Sequence, residues 1–228
     1  MLDPLVTVIL ASYNGEEFLR EALESLFAQD FRSYEVVFVD DGSVDGTADI
    51  ARSFPLRYLY QANQGLPAAR NAGFALARGQ LIAFLDDDDV LPPTKLSVQA
   101  NFLLEHPETG CVLGRQDWIF EEGLKPRSMK RDPIYGDLGG IPMGSAMIKR
   151  RVLEQVGGFD PSYRYAEDRD LFVRLREHDV GIVVLPNVVL HRRLHDSNMI
   201  LDPPEHHPLL RSLREKLGRE RSAGSERT

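Results

Sequence analysis

Leu81-Ile82-Ala83-Phe84-Leu85 is a continuous apolar run, and four aspartates, Asp86 to Asp89, follow it without a gap. Bounded by Gly79 upstream and Pro92-Pro93 downstream, such a run reads as a buried strand whose carboxylates emerge together at its carboxyl end. In open α/β sheets that edge is where ligands bind. Clustered carboxylates raise one another's pKa unless a cation lies among them, and hard divalent ions with oxygen ligands are the usual counterpart. The run is read as a metal site, against the plainer reading of a solvated acidic loop.

Similar units precede it. Leu5 to Ala11 (LVTVILA) is β-branched and continuously apolar, the pattern of a central strand covered on both faces. Ser12-Tyr13-Asn14-Gly15 supplies a turn, and Phe18, Leu19, Ala22, Leu23 and Leu26 recur at helical spacing. Glu35 to Val39 is a second strand ending in Asp40-Asp41-Gly42-Ser43, with a helix from Asp45-Gly46-Thr47 toward Ser53. Leu56 to Tyr60 is a short third strand, and Ala68 to Arg78 a helix leading into the fourth. This alternation predicts a mostly parallel, doubly covered sheet. Pro92-Pro93 opens a helix reaching about His106.

Beyond that point the rhythm changes. Cys111 to Leu113 and Trp118 to Phe120 are separate apolar patches, and Glu121 to Gly140, rich in prolines and glycines, reads as a mobile loop. Gly144 to Ile148 is a candidate strand, Val152 to Val156 a short helix, Gly157 to Asp160 a turn, Leu171 to Glu177 a helix core and Gly181 to Leu185 a last strand. The expected organisation is one domain over 1-200, with a ligand-binding half to about 106 and a second half over 107-200. A polar tail over 201-228 follows, an exposed helix fraying into disorder.

Composition excludes several functions. A net charge of −8 over 228 residues disfavours nonspecific attraction to nucleic acid, which depends on a basic surface. No stretch approaches the ~18 uninterrupted apolar residues of a spanning helix, so membrane contact is at most peripheral. Met1-Leu2-Asp3-Pro4 carries no basic segment, and the expected compartment is the cytoplasm. The single cysteine, Cys111, excludes disulfides within the chain and thiolate metal clusters, and reads as a buried core residue. The turn after the first strand lacks the glycines of a dinucleotide site. There is no Gly-Lys pair for a P-loop and no His-Glu-x-x-His zinc helix.

The remaining fragments resemble, in order, the motifs of the family 2 glycosyltransferases: ASYN at Ala11 to Asn14, VDDGSVDGT at Val39 to Thr47, NQGLPAARNAG at Asn63 to Gly73 and FLDDDDVLPP at Phe84 to Pro93. GGFD at Gly157 to Asp160 and AEDRDL at Ala166 to Leu171 are similar to the acceptor-side motifs. The resemblance covers roughly Leu5 to Asn198 and implies a GT-A fold, with a Rossmann-like sheet carrying a nucleotide-sugar site.

Carried over, it implies that Asp40 or Asp41 accepts a hydrogen bond from the nucleotide base, with Ala11, Tyr13 and Asn14 framing base and ribose. For Asp45 the plainer role of capping the next helix is preferred. Arg70 admits two readings, contact with base or diphosphate or a structural ion pair. Asp86 and Asp88 match the D-x-D motif that holds Mn2+ or Mg2+ against the donor diphosphate, with Asp87 and Asp89 as second choices. Asp168 matches the general base, which competes with a reading of Glu167, Asp168 and Asp170 as first-turn acids complementing a helix dipole. His195 is a candidate third metal ligand, whereas His191 reads as surface decoration.

The implied activity is metal-dependent, inverting transfer from a nucleotide-sugar donor, UDP-sugar favoured, to a saccharide, lipid, peptide or small-molecule acceptor. Two alternatives stand beside it. A sugar nucleotidyltransferase would be expected to open with a Gly-rich phosphate loop, which is missing here, and an inactive homologue would bind nucleotide without turnover.

Overall fold

The computed structural model describes residues 3–121, 141–163 and 166–195. The expected loop, apart from Glu121, and the expected tail lie outside the described residues.

Among the described residues, seven strands form one sheet in the order β3-β2-β1-β4-β6-β5-β7. β1 (Val6–Ser12), β2 (Tyr34–Asp40), β3 (Arg57–Tyr60) and β4 (Leu81–Asp86) are mutually parallel, with β1 between β2 and β4. α1 (Leu19–Phe27), α2 (Thr47–Arg52) and α3 (Leu66–Leu76) connect them. The period-2 alternation of β1 sorts its side chains: Val6, Val8 and Leu10 join Leu19, Leu23 and Leu26 of α1, while Ile9 packs with Ile82 and Phe84 on the other face. Both faces are dry, which is why these strands read as unbroken apolar runs.

The second half departs from parallel alternation. After α4 (Lys95–Glu105) the chain enters β5 (Thr109–Phe120), and later a 3-10 turn (Met143–Ser145) leads into β6 (Ala146–Lys149). β6 lies antiparallel between β4 and β5. α5 (Arg150–Val156) and α6 (Glu167–Glu177) precede β7 (Gly181–Leu194), which runs parallel to β5.

Two expectations are corrected here. The two apolar patches before Glu121 belong to one twelve-residue strand, and the last strand continues from Leu185 through Pro186 to Leu194. Polar residues interrupt each pattern because the β5–β7 register shifts between Leu113 and Gln116, where bulges break strict alternation and tolerate proline. Cys111 is buried as expected. No helix among the described residues is long and apolar enough to cross a membrane.

Candidate active site

From β1 the chain winds outward to β2 and β3 and then returns to the other side of β1 for β4. The two crossovers diverge between β1 and β4 and leave a crevice at the carboxyl ends of these strands. Register places Ala11 beside Asp86 and Ser12 beside Asp40, so the tips of three strands meet there. A cleft of about 550 Å3 opens at this point.

Ala11, Tyr13, Asn14 and Asp41 line the cleft. Asn14, in the left-handed region at φ 54°, ties two loops together: its amide donates to Ser43 Oγ at 2.9 Å, and its Oδ1 accepts from the Val44 amide at 2.9 Å. Asp41 accepts from the amides of Gln64 and Gly65 and from Gln61 Nε2, at 2.9, 2.8 and 2.7 Å. Asp40 turns elsewhere. It is buried and accepts from Tyr58 Oη at 2.5 Å and the Ser43 amide at 2.8 Å, and it is not part of the cleft lining. Burial first, and then that hydrogen bond, push the Tyr58 hydroxyl up to about 12. Of the acidic pair, Asp41 faces the ligand space and Asp40 fixes the loop. Asp45 accepts from the Thr47 amide at 3.0 Å, a local turn at the start of α2.

Behind the cleft sits Arg70 of α3, 2% exposed. Its Nη2 donates to Asp86 Oδ1 at 2.7 Å, and its Nη1 donates to Glu167 Oε1 at 2.9 Å and to Asp168 Oδ1 at 2.7 Å. The guanidinium carbon lies 5.4 Å from the Phe159 ring centroid. Burial disfavours the charge, but three carboxylates outweigh it and hold the guanidinium protonated more firmly than usual. Of the two readings of Arg70, the structure shows the ion pair. Next to it, Asn71 clamps the turn before α6: its Nδ2 donates to Phe159 O at 2.7 Å and its Oδ1 accepts from the Phe159 amide at 2.9 Å. Gly158, at φ 70°, lets Asn71 come this close, since a Cβ there would meet Asn71 Oδ1 at 2.8 Å.

Asp86, Asp87 and Asp88 line the cleft together with His195. Asp87 accepts a short hydrogen bond from Ser12 Oγ, and burial pushes its carboxyl up to about 7. Asp88 Oδ2 lies 3.0 Å from His195 Nε2, and burial followed by the neighbouring Asp86 raises its pKa. Asp89, 2% exposed, accepts from the Arg193 amide at 2.9 Å and is pushed up to about 8 by burial and by Asp86 and Asp88. Arg193 also donates through Nε to Asp88 O at 3.1 Å, so β7 grips the loop that carries the acids.

Asp168 is not in the cleft lining. It accepts from Arg70 and, through Oδ2, from the Met143 amide at 3.1 Å, and burial raises its pKa despite Arg70. Glu167 does line the cleft, and burial followed by the charge of Asp168 pushes it up to about 7. Sequence reasoning had Glu167 only as a first-turn acid. Adjacent helical residues point roughly 100° apart, so an acidic pair opening a helix presents one member to a cleft, and which one depends on a phase set by packing. Arg193 was also missed, because its role depends on the register of a strand read too short.

Among the described residues, no group of three or more His, Cys, Asp and Glu side chains forms a ready metal cage. The donors present nevertheless suit a hard divalent ion. Asp86, Asp88 and His195 line the same cleft, with Asp88 and His195 in contact, and Mg2+-type sites use one or two protein carboxylates and take their remaining oxygens from phosphates and water.

Comparison with known proteins agrees with the fold. Residues 7–165 match the model of glycosyl transferase family 2. An uncharacterized glycosyltransferase from Nostoc sp. is 42% identical over 178 residues, covering 68% of this chain and 54% of the relative. One from Rickettsia typhi is 30% identical over 211 residues, covering 86% and 65%. The chain thus spans less than two thirds of the length of these relatives. Among solved structures, S. aureus TarS 1-349 superposes with a TM-score of 0.68 at 25% identity, over 82% of this chain and 60% of that one. The mannosyltransferase PcManGT from Pyrobaculum calidifontis, solved with GDP-Man and Mn2+, superposes with a TM-score of 0.69 at 24% identity, over 86% and 59%.

Proposed function

This chain belongs to glycosyl transferase family 2, and from that premise we propose that it transfers a sugar from a nucleotide diphosphate donor, UDP-sugar favoured, to an acceptor hydroxyl with inversion. The observation that carries the reading is the convergence of Asp41, Asp86, Asp88, His195 and Glu167 on one cleft, with Arg70 linking Asp86 at the end of β4 to Asp168. Asp41 and the tip of β1 receive the nucleoside, and a base with an imide N–H meets a carboxylate already fixed by backbone amides. Asp86 and Asp88, with His195, would hold Mn2+ or Mg2+, and that ion would supply positive charge to a departing diphosphate.

Asp168 takes the proton of the incoming hydroxyl as its oxygen bonds to the anomeric carbon and the bond to the diphosphate breaks. A single displacement of this kind inverts the configuration. Arg70 and the Met143 amide each use one lone pair of Asp168, and a carboxylate has about four, so an acceptor hydroxyl can still donate to it. Its raised pKa brings the group nearer to neutrality, where a general base works best. The acceptor is proposed only as a hydroxyl compound: a saccharide, lipid, peptide or small molecule.

The engagement of Asp168 by Arg70 and Met143 also supports a second reading, a nucleotide-binding homologue without turnover. Screening nucleotide sugars with Mn2+ separates the two. The transferase reading expects thermal stabilisation by one donor, release of its nucleoside diphosphate and loss of that release in D168N. Binding with no release, unchanged by D168N, supports the second reading. Neither binding nor release overturns both.

A further inference from the structure

Lys95, in the first turn of α4, is fully buried, at the end of a helix where the dipole disfavours a cation. Its Nζ donates to Gln99 Oε1 and to Gly144 O, each at 2.8 Å, and both of these acceptors are neutral. Burial pushes the amine down to about 7. For filling volume alone, an apolar side chain would serve as well at less cost. What the amine supplies is donors. A charged and a neutral lysine both keep the two hydrogens that these bonds use.

Those donors meet a turn with a task. Gln99 Nε2 donates to Ser145 O at 2.9 Å, so α4 satisfies two successive buried carbonyls of the 3-10 turn. At its start, the same turn presents the Met143 amide to Asp168 Oδ2 at 3.1 Å. We propose that Lys95 is a positioning residue that, with Gln99, clamps the turn Met143–Ser145 so that its amide fixes the orientation of the Asp168 carboxylate. The inference rests on the function proposed above, because the value of a fixed Asp168 lies in proton removal.

The test compares K95M with the wild-type chain by hydrogen exchange, by the affinity for UDP with Mn2+ and by kcat for the donor found in the screen. Methionine keeps the volume and removes both donors. The expected result is exchange of the Met143 amide faster by roughly tenfold, kcat lower by roughly tenfold or more and an affinity for UDP within about twofold, since the clamp does not touch the nucleotide. Q99M should show the same pattern in weaker form, and it serves if K95M does not fold. Unchanged exchange at Met143 overturns the proposal. So does faster exchange with kcat intact, or a loss of UDP affinity that matches the loss of rate. If the wild-type chain transfers no sugar, the function reading fails, while the exchange result still decides whether the clamp exists.

Discussion

In the half of the molecule up to β4, site residues are held by neighbours: Asn14 by the loop 29 and 30 residues on, and Asp41 by amides 23 and 24 residues on. In the half beyond α4, apart from the Met143 amide 25 residues before Asp168, they are held by partners far away in sequence. Phe159 is clamped by Asn71 across 88 residues, Glu167 and Asp168 by Arg70 across 97 and 98, and His195 meets Asp88 across 107. The first half carries its own geometry in consecutive strand tips, whereas the second borrows its geometry from charges and amides of the first.

Cutting the borrowed contacts tests this contrast, most severely at Arg70. R70M leaves Asp86, Glu167 and Asp168 together without their shared cation, and removal of one partner from a buried ion pair costs roughly 3–5 kcal/mol. Urea unfolding should show a loss of that size and transfer should vanish; a loss below about 1 kcal/mol would mean that the halves hold together without Arg70. D88N should lower Mn2+-dependent turnover by roughly a hundredfold or more, since a metal ligand acts on the leaving group for several kcal/mol. The urea midpoint of D88N should stay level or rise, because one of the crowded acids has become neutral.

N71A should cost roughly 1–3 kcal/mol, leaving the amide and carbonyl of Phe159 without their side-chain partner. If the borrowed geometry matters, it should lower kcat more than nucleotide affinity, and equal losses in both would blur the contrast. A smaller effect concerns pH. Lys95 titrates near 7 when folded and at 10.5 ordinarily, so above pH 7 the unfolded chain binds more protons and stability rises with pH. Cys111, pushed up to about 12 from 9.0, contributes with the opposite sign above pH 9 and offsets the Lys95 effect there. The stability of the wild-type chain relative to K95M should therefore grow between about pH 7 and 9 in urea titrations, against the opposite contribution of Asp89, which is pushed up to about 8. The smallest change is expected in D40N, whose UDP affinity should stay within about twofold because Asp40 faces Tyr58, whereas D41N should weaken binding by roughly tenfold, the loss of a charge-assisted hydrogen bond.

The same contrast explains what could be read from the sequence. The strands β1, β2 and β4 declare themselves because burial on both faces leaves them mostly apolar, and their tips follow directly as Ser12, Asp40 and Asp86. The motif positions in the first half were legible for that reason. β5 and β7 were not read at full length, since shifts in register put Arg115, Gln116, Pro186 and Asn187 inside strands. Arg70 stayed undecided because two of its three partners lie on another helix, and Lys95 raised no signal because nothing in a helical pattern distinguishes a buried lysine from an exposed one.

The placement of β6 has a practical consequence. Because it threads in between β4 and β5, a fragment ending at 106 would leave β4 with a bare hydrogen-bonding flank directly below its acids. Such a fragment would stick to its own kind. The half up to β4 is thus no portable cassette, and chimeras that regraft specificity should exchange loops while leaving the antiparallel pair of β5 and β6 in its native frame.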